Sequence, residues 1–191
     1  MAETTRDSGL RPARRRFLHG LMIGLPAAAA FASGGRAFAA ALERRSISLV
    51  NTHTGEQLAV DYFRSGEWCE DSLFALDHLL RDHRSGDVAH MDRRLFDLLH
   101  DVAVSAGREP RYEVISGYRS PQTNAMLSAS SNGVAKRSLH TEGRAIDVRL
   151  AGYRTDWLRD LALAAQQGGV GYYRKSDFVH MDTGRVRSWA G

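Results

Sequence analysis

Two histidines and one aspartate stand where a divalent metal could be held. His140 and Asp147 lie seven residues apart in Ser138-Leu-His-Thr-Glu-Gly-Arg-Ala-Ile-Asp-Val-Arg-Leu150, with Gly143 between them. A neutral imidazole and a carboxylate brought together suit a divalent ion, zinc above all. Phe178-Val-His-Met-Asp182 offers the third ligand in His180. Three protein ligands and one open position is the pattern of a catalytic zinc rather than a structural one. Such a metal lowers the pKa of its bound water to about 7 and polarises a carbonyl, so a peptide bond can be hydrolysed without a covalent intermediate. No nucleophile motif competes, because Cys69 and the serines lack a recognisable base partner in the sequence.

These residues need elements to carry them. Ile146, Val148 and Leu150 alternate with Ala145, Asp147 and Arg149, which reads as a half-buried strand with Asp147 facing away from the core. Gly143 lets the backbone bend so that His140 folds back over that face. Further strands are expected at Tyr112–Ser116 and Phe178–Thr183, and a hairpin at Arg45–Phe63 around the turn residues Asn51–Gly55. Helical spacing predicts amphipathic helices over 70–81 and 91–106. A short helix opens at Pro121 with Ser120 as its cap, followed by a small-polar loop at 128–133 beside the site. Another runs from a Thr155 cap to Gln167, with Trp157, Leu158, Leu161 and Ala165 on its core side, and Gly168-Gly169 ends it. The fold class is α+β: a single domain whose small, mostly antiparallel sheet is backed by helices and carries the zinc site on its face. His78, His83, His90 and His100 fall in or near the helices without a carboxylate at a convincing spacing, and read as surface or structural residues.

The first 39 residues read as an export signal. Arg14-Arg-Arg-Phe-Leu18 is a twin-arginine signature, an apolar run follows from Phe17 to Phe31, and Ala37-Phe38-Ala39 is a cleavage site. The domains are therefore a signal peptide over 1–39 and a peptidase-sized domain over 40–191, delivered to the periplasm by the twin-arginine translocation machinery. The apolar run is broken by His19, Gly20, Gly24 and Pro26, and no stable membrane span is expected in the mature form. The formal charge of +4 belongs to the leader, which holds six arginines against Glu3 and Asp7; the remainder is balanced. Nothing in that balance points to nucleic acid. One cysteine excludes an intramolecular disulfide.

The ligand motifs do not stand alone. Ser116-Gly-Tyr-Arg-Ser120 lies upstream, and Gly168-Gly-Val-Gly-Tyr172 leads into the His180 strand. Together, from about Asp61 to Trp189, these residues resemble the zinc D-Ala-D-Ala peptidase superfamily, and within it the murein endopeptidase K family. The resemblance implies one zinc per chain on His140, Asp147 and His180, and hydrolysis of peptide cross-links between peptidoglycan stem peptides. It implies that Arg119 holds substrate and stabilises developing negative charge, for which a planar guanidinium is suited. Ser138 and Gln122 are expected to line the cleft with it, while Glu142, beside His140, reads as a solvated turn residue rather than a support of the ligands. A general base is also needed. Many members of the superfamily place a Glu three residues before the last histidine, where this chain has Asp177. Asp182 competes, because in a regular strand it shares the face of His180 whereas Asp177 points away. The alternative function is a non-catalytic, zinc-containing wall-binding domain of the same fold.

Overall fold

The alternating and helical patterns become elements in chain order. The computed structural model describes residues 43–130 and 135–191. The twin-arginine signature, the expected cleavage point after Ala39 and part of the small-polar loop lie outside them. Strands β1 (Arg44–Asn51) and β2 (Gln57–Arg64) form the expected hairpin. Asn51 builds its turn, its side-chain oxygen accepting from the backbone N–H of His53 at 2.9 Å and of Thr54 at 3.2 Å. A short β3 (Glu67–Trp68) precedes helices α1 (Glu70–Leu79) and α2 (Arg93–Ser105). Asp92 caps α2, accepting from the N–H of Arg94. Then come β4 (Arg111–Ser116), α3 (Pro121–Ser130), a single 3-10 turn at Leu139–Glu142 and β5 (Ala145–Leu150). Helix α4 (Thr155–Ala165) leads into β6 (Gly169–Tyr173), β7 (Phe178–Asp182) and β8 (Arg187–Ala190).

The strands form one sheet in the order β3-β2-β1-β4-β5-β7-β6-β8. It is mixed, not mostly antiparallel as the sequence suggested. From β1 the chain passes through β2, β3 and helices α1 and α2 before it enters β4 beside β1, and those two strands run parallel. At the far side β8 passes β7 and adds to the outer edge of β6, again in parallel. Strands β6 and β8 escaped the sequence reading. The glycines of Gly168-Gly-Val-Gly signal a helix stop more strongly than a strand, and β8 is four residues long.

The core lies between the sheet and helices α1, α2 and α4. Leu73, Leu76, Leu95, Leu99, Val102 and Leu158 come from the helices and meet Ile47, Leu49, Tyr112, Val114, Ile146, Val148, Val179 and Met181 from the strands. Burying each large apolar side chain contributes about 1.5–3 kcal/mol. Two details of α4 differ from expectation. Trp157 is 52 % exposed and stacks under Arg154 instead of joining the core. Arg154, not Thr155, occupies the N-cap, and the Thr155 hydroxyl donates to Asp177 at 2.5 Å. With one sheet face taken by the helices, the opposite face of β5 and β7 is left for chemistry.

Candidate metal centre

His140 is delivered by the 3-10 turn, which Ser138 caps by accepting from the His140 N–H. Gly143 then reverses the chain with φ +66°, and a Cβ there would run into the carbonyl of His90. Glycine is required twice over at this position, by its conformation and by the close approach. The turn ends at β5, whose register sets Asp147 directly opposite His180 of the antiparallel β7. Since Val148 and Val179 face the core, Asp147 and His180 share the other face, as the alternation predicted. Asp147 is not on a half-buried strand, however. Five of the six β5 residues are buried, because the strand is central and the site covers its second face.

His140, Asp147 and His180 converge, and they form the one such metal-ligating group among the described residues. His140 Nε2 lies 3.2 Å from His180 Nδ1 and 3.3 Å from Asp147 Oδ1, and His180 Nδ1 lies 2.8 Å from that same oxygen. A tetrahedral zinc with ligands at about 2.0–2.1 Å asks for ligand atoms about 3.3 Å apart. Two edges match, and the third, at 2.8 Å, is shorter. The second ring nitrogens are also assigned. His140 Nδ1 stands 2.7 Å from the carbonyl of Gly117, and His180 Nε2 stands 3.1 Å from Asp182 Oδ2. Donation from these outer nitrogens would leave the inner nitrogen of each ring free to take a metal, the arrangement that fixes the tautomer of a metal-bound imidazole. The donor set therefore fits zinc.

Charge is balanced at the same point. Burial pushes the Asp147 carboxyl up, but the imidazoles of His140 and His180 hold it well below the usual carboxylate range. Burial opposes charge on His180, and the carboxylates of Asp147 and Asp182 outweigh it, raising the imidazole to about 9. Without metal the pocket thus keeps a proton on His180, which a metal must displace.

A cleft of about 760 Å³ opens over the three ligands. Arg119 and Ser138 line it, as expected. The Arg119 N–H donates to the carbonyl of His140 at 3.1 Å, which ties this residue to the ligand turn. Its guanidinium touches Ser116 Oγ at 3.2 Å and Asn124 Oδ1 at 3.4 Å, and its buried Nε has no partner. Burial lowers its pKa, and no carboxylate pairs with it among the described residues. Among the other rim residues, Arg137, Arg187 and an aromatic bank of Tyr173, Phe178 and Trp189 were given no role in the sequence reading. Gly171 was the available signal for Trp189, since a glycine inside a strand marks close approach and a Cβ there would meet the indole.

The remaining expected residues sit elsewhere. Gln122 is exposed on α3 and does not line the cleft. Glu142 is exposed and pairs with Arg144 at 3.1 Å. Asp177 lies in the β6–β7 turn with φ +52°, its carboxylate engaged by the Thr155 hydroxyl and facing Arg149. Asp182 does share the His180 side of β7, but it is 0 % exposed and faces no open water. Neither carboxylate expected to act as base opens on the cleft, where Asp147 is the sole side-chain carboxylate among the described residues.

A paired His and Asp on adjacent strands, closed by a second His from a turn, could hold a single metal ion beneath the open cleft. Residues 39–189 match the family model described as Peptidoglycan L,D-endopeptidase MepK, and the chain belongs to that family. Peptidoglycan L,D-endopeptidase MepK of Escherichia coli strain K12 is 41% identical over 145 residues, which cover 76% of this chain and 80% of that relative. The probable peptidoglycan L,D-endopeptidase MepK of Haemophilus influenzae is 42% identical over 148 residues, covering 77% of this chain and 80% of its own.

Proposed function

We propose that this chain is a zinc-dependent peptidoglycan endopeptidase that hydrolyses peptide cross-links of the bacterial cell wall. The observation that carries this reading is the mutual spacing of His140 Nε2, Asp147 Oδ1 and His180 Nδ1 at 2.8–3.3 Å, with a cleft open above them. The names of the relatives supply the bond type, a peptide link between an L centre and a D centre. When bound, zinc supplies an acidified water and polarises the scissile carbonyl.

The chain's own residues do the rest. His140 and His180 present fixed lone pairs, because Gly117 and Asp182 hold their outer nitrogens. Arg119, a cation without a carboxylate partner among the described residues, receives a substrate carboxylate or the oxyanion of the addition step. Asn124 accepts from Arg119 and donates to the carbonyls of Ala135 and Lys136, which sets Arg137 on the same bank as a second cation. Trp189 and Tyr173 form the opposite, aromatic bank and exclude water from the apolar parts of the stem peptide. Asp182 is assigned to holding His180, and Asp177 to its turn. The protein works in the periplasm, exported by the twin-arginine route with its leader removed near Ala39.

One observation favours a second reading, a wall-binding domain that keeps the metal without turnover: among the described residues no side-chain carboxylate besides Asp147 opens on the cleft. Digestion of cross-linked muropeptides separates the two. An endopeptidase splits the dimer into two stem peptides whose summed mass exceeds it by one water. Undigested dimers that co-purify with the protein support the binding domain instead.

A further inference from the structure

The metal centre has an outer support that begins on the last strand. Arg187 opens β8 and pairs in register with Gly169 of β6, so its side chain reaches across β6 to β7. There it forks onto Asp182, Nη1 to Oδ1 at 3.0 Å and Nη2 to Oδ2 at 2.7 Å. Asp182 Oδ1 also accepts from the backbone N–H of Gly169 at 3.0 Å and of Gly184 at 2.8 Å. Oδ2 faces His180 Nε2 at 3.1 Å, and the other nitrogen of that ring points at Asp147 and His140. A continuous line of charge-assisted hydrogen bonds thus runs from the sheet edge to the ligand atom.

Two further features belong to this line. A Cβ on Gly169 would run into both the Arg187 guanidinium and the Asp182 carboxylate, so glycine there makes room for the pair. On its other side the guanidinium lies 4.9 Å from the ring of Trp189, which packs 5.1 Å from the His180 ring. A carboxylate that is 0 % exposed needs a cation or neutralises. Arg187 is the arginine that meets it, and a bidentate fork fixes orientation as well as charge.

We propose that Arg187 is a positioning residue of the metal centre: its fork fixes the Asp182 carboxylate in place, and Asp182 in turn sets the His180 ring so that Nδ1 faces the metal. This rests on the metal reading of the His140–Asp147–His180 cluster. Removing an outer partner of a metal ligand costs about 10–100-fold in metal affinity. Zinc affinity is read by chelator competition on the purified protein, and the ligand field by the visible spectrum of the cobalt(II) form. Arg187→Met is expected to weaken zinc by about tenfold or more and to shift the cobalt bands. Arg187→Lys, which keeps the charge without the fork, falls between it and the parent, and Gly169→Ala follows Arg187→Met. Arg44→Met, on an exposed arginine paired with Asp61 on the far side of the sheet, stays at the parent value.

Parent-like zinc affinity and an unshifted cobalt spectrum in Arg187→Met overturn the proposal. If that variant does not fold, Arg187→Lys carries the test, and parent-like values in it overturn the proposal equally. A parent protein that binds no zinc removes the metal reading itself, whereas equal binding by parent and variant removes only the role of Arg187.

Discussion

His180 serves two masters, with Nδ1 given to the metal site and Nε2 to Asp182, and the consequences at the residue scale follow from that division. His140→Ala, Asp147→Ala and His180→Ala each remove one of three protein ligands. Each is expected to lower bound zinc well below one per chain, measured by metal analysis after gel filtration; full occupancy in any of them strikes that residue from the ligand set. Asp182→Asn should weaken zinc by about 10–100-fold, because the amide can turn its donor toward His180 Nε2 and spoil the tautomer. A variant that holds zinc like the parent yet has lost activity would instead return Asp182 to the role of base. The convergence of His140, Asp147 and His180 was legible because side-chain type and short spacing bring it out. The surroundings of Asp182 were not. Strand alternation placed it beside His180, but nothing local announces that an arginine five residues on will fill both its oxygens.

At the scale of elements, the turn after His140 and the cap of α2 are the pieces that hold the site's frame. Gly143→Ala forces a side chain into a left-handed conformation and against His90, and should destabilise the protein by about 1–3 kcal/mol, read from urea midpoints. No shift in the midpoint would mean that the turn relaxes freely. Asp92 caps α2 and also accepts from the Thr183 hydroxyl at 2.6 Å, just after β7. Burial pushes its carboxyl up, but Arg94 and Thr183 outweigh it and lower it from 3.8 to about 2. A carboxylate depressed in the folded state stabilises it above the unfolded pKa and loses that contribution as pH falls through the folded one. In metal-free protein the urea midpoint should therefore fall between pH 3.8 and about 2, and less steeply in Asp92→Asn. Equal slopes would remove Asp92 from the acid limb. The hairpin, the helices and the strands that carry ligands were legible from periodicity. The parallel pairings were not, since they depend on where crossovers land rather than on any residue in β1, β4, β6 or β8.

For the whole molecule, formal charge is unevenly spread: the arginine excess lies in residues 1–39 and the remainder is neutral. No helix among the described residues is long and apolar enough to cross a membrane. Replacing Arg14, Arg15 and Arg16 by lysine is expected to retain precursor-sized protein in the cytoplasm, by fractionation and immunoblotting. A shortened periplasmic species from that variant would count against the twin-arginine route. The central claim is that metal held by the three ligands does the hydrolysis, and it is tested most directly by titrating zinc into chelator-stripped protein while cleavage of a cross-linked muropeptide is followed. Cleavage should be absent without metal, rise in proportion to bound zinc and level off at one zinc per chain. Full cleavage by the stripped protein, or an intact substrate at full zinc occupancy, would contradict it.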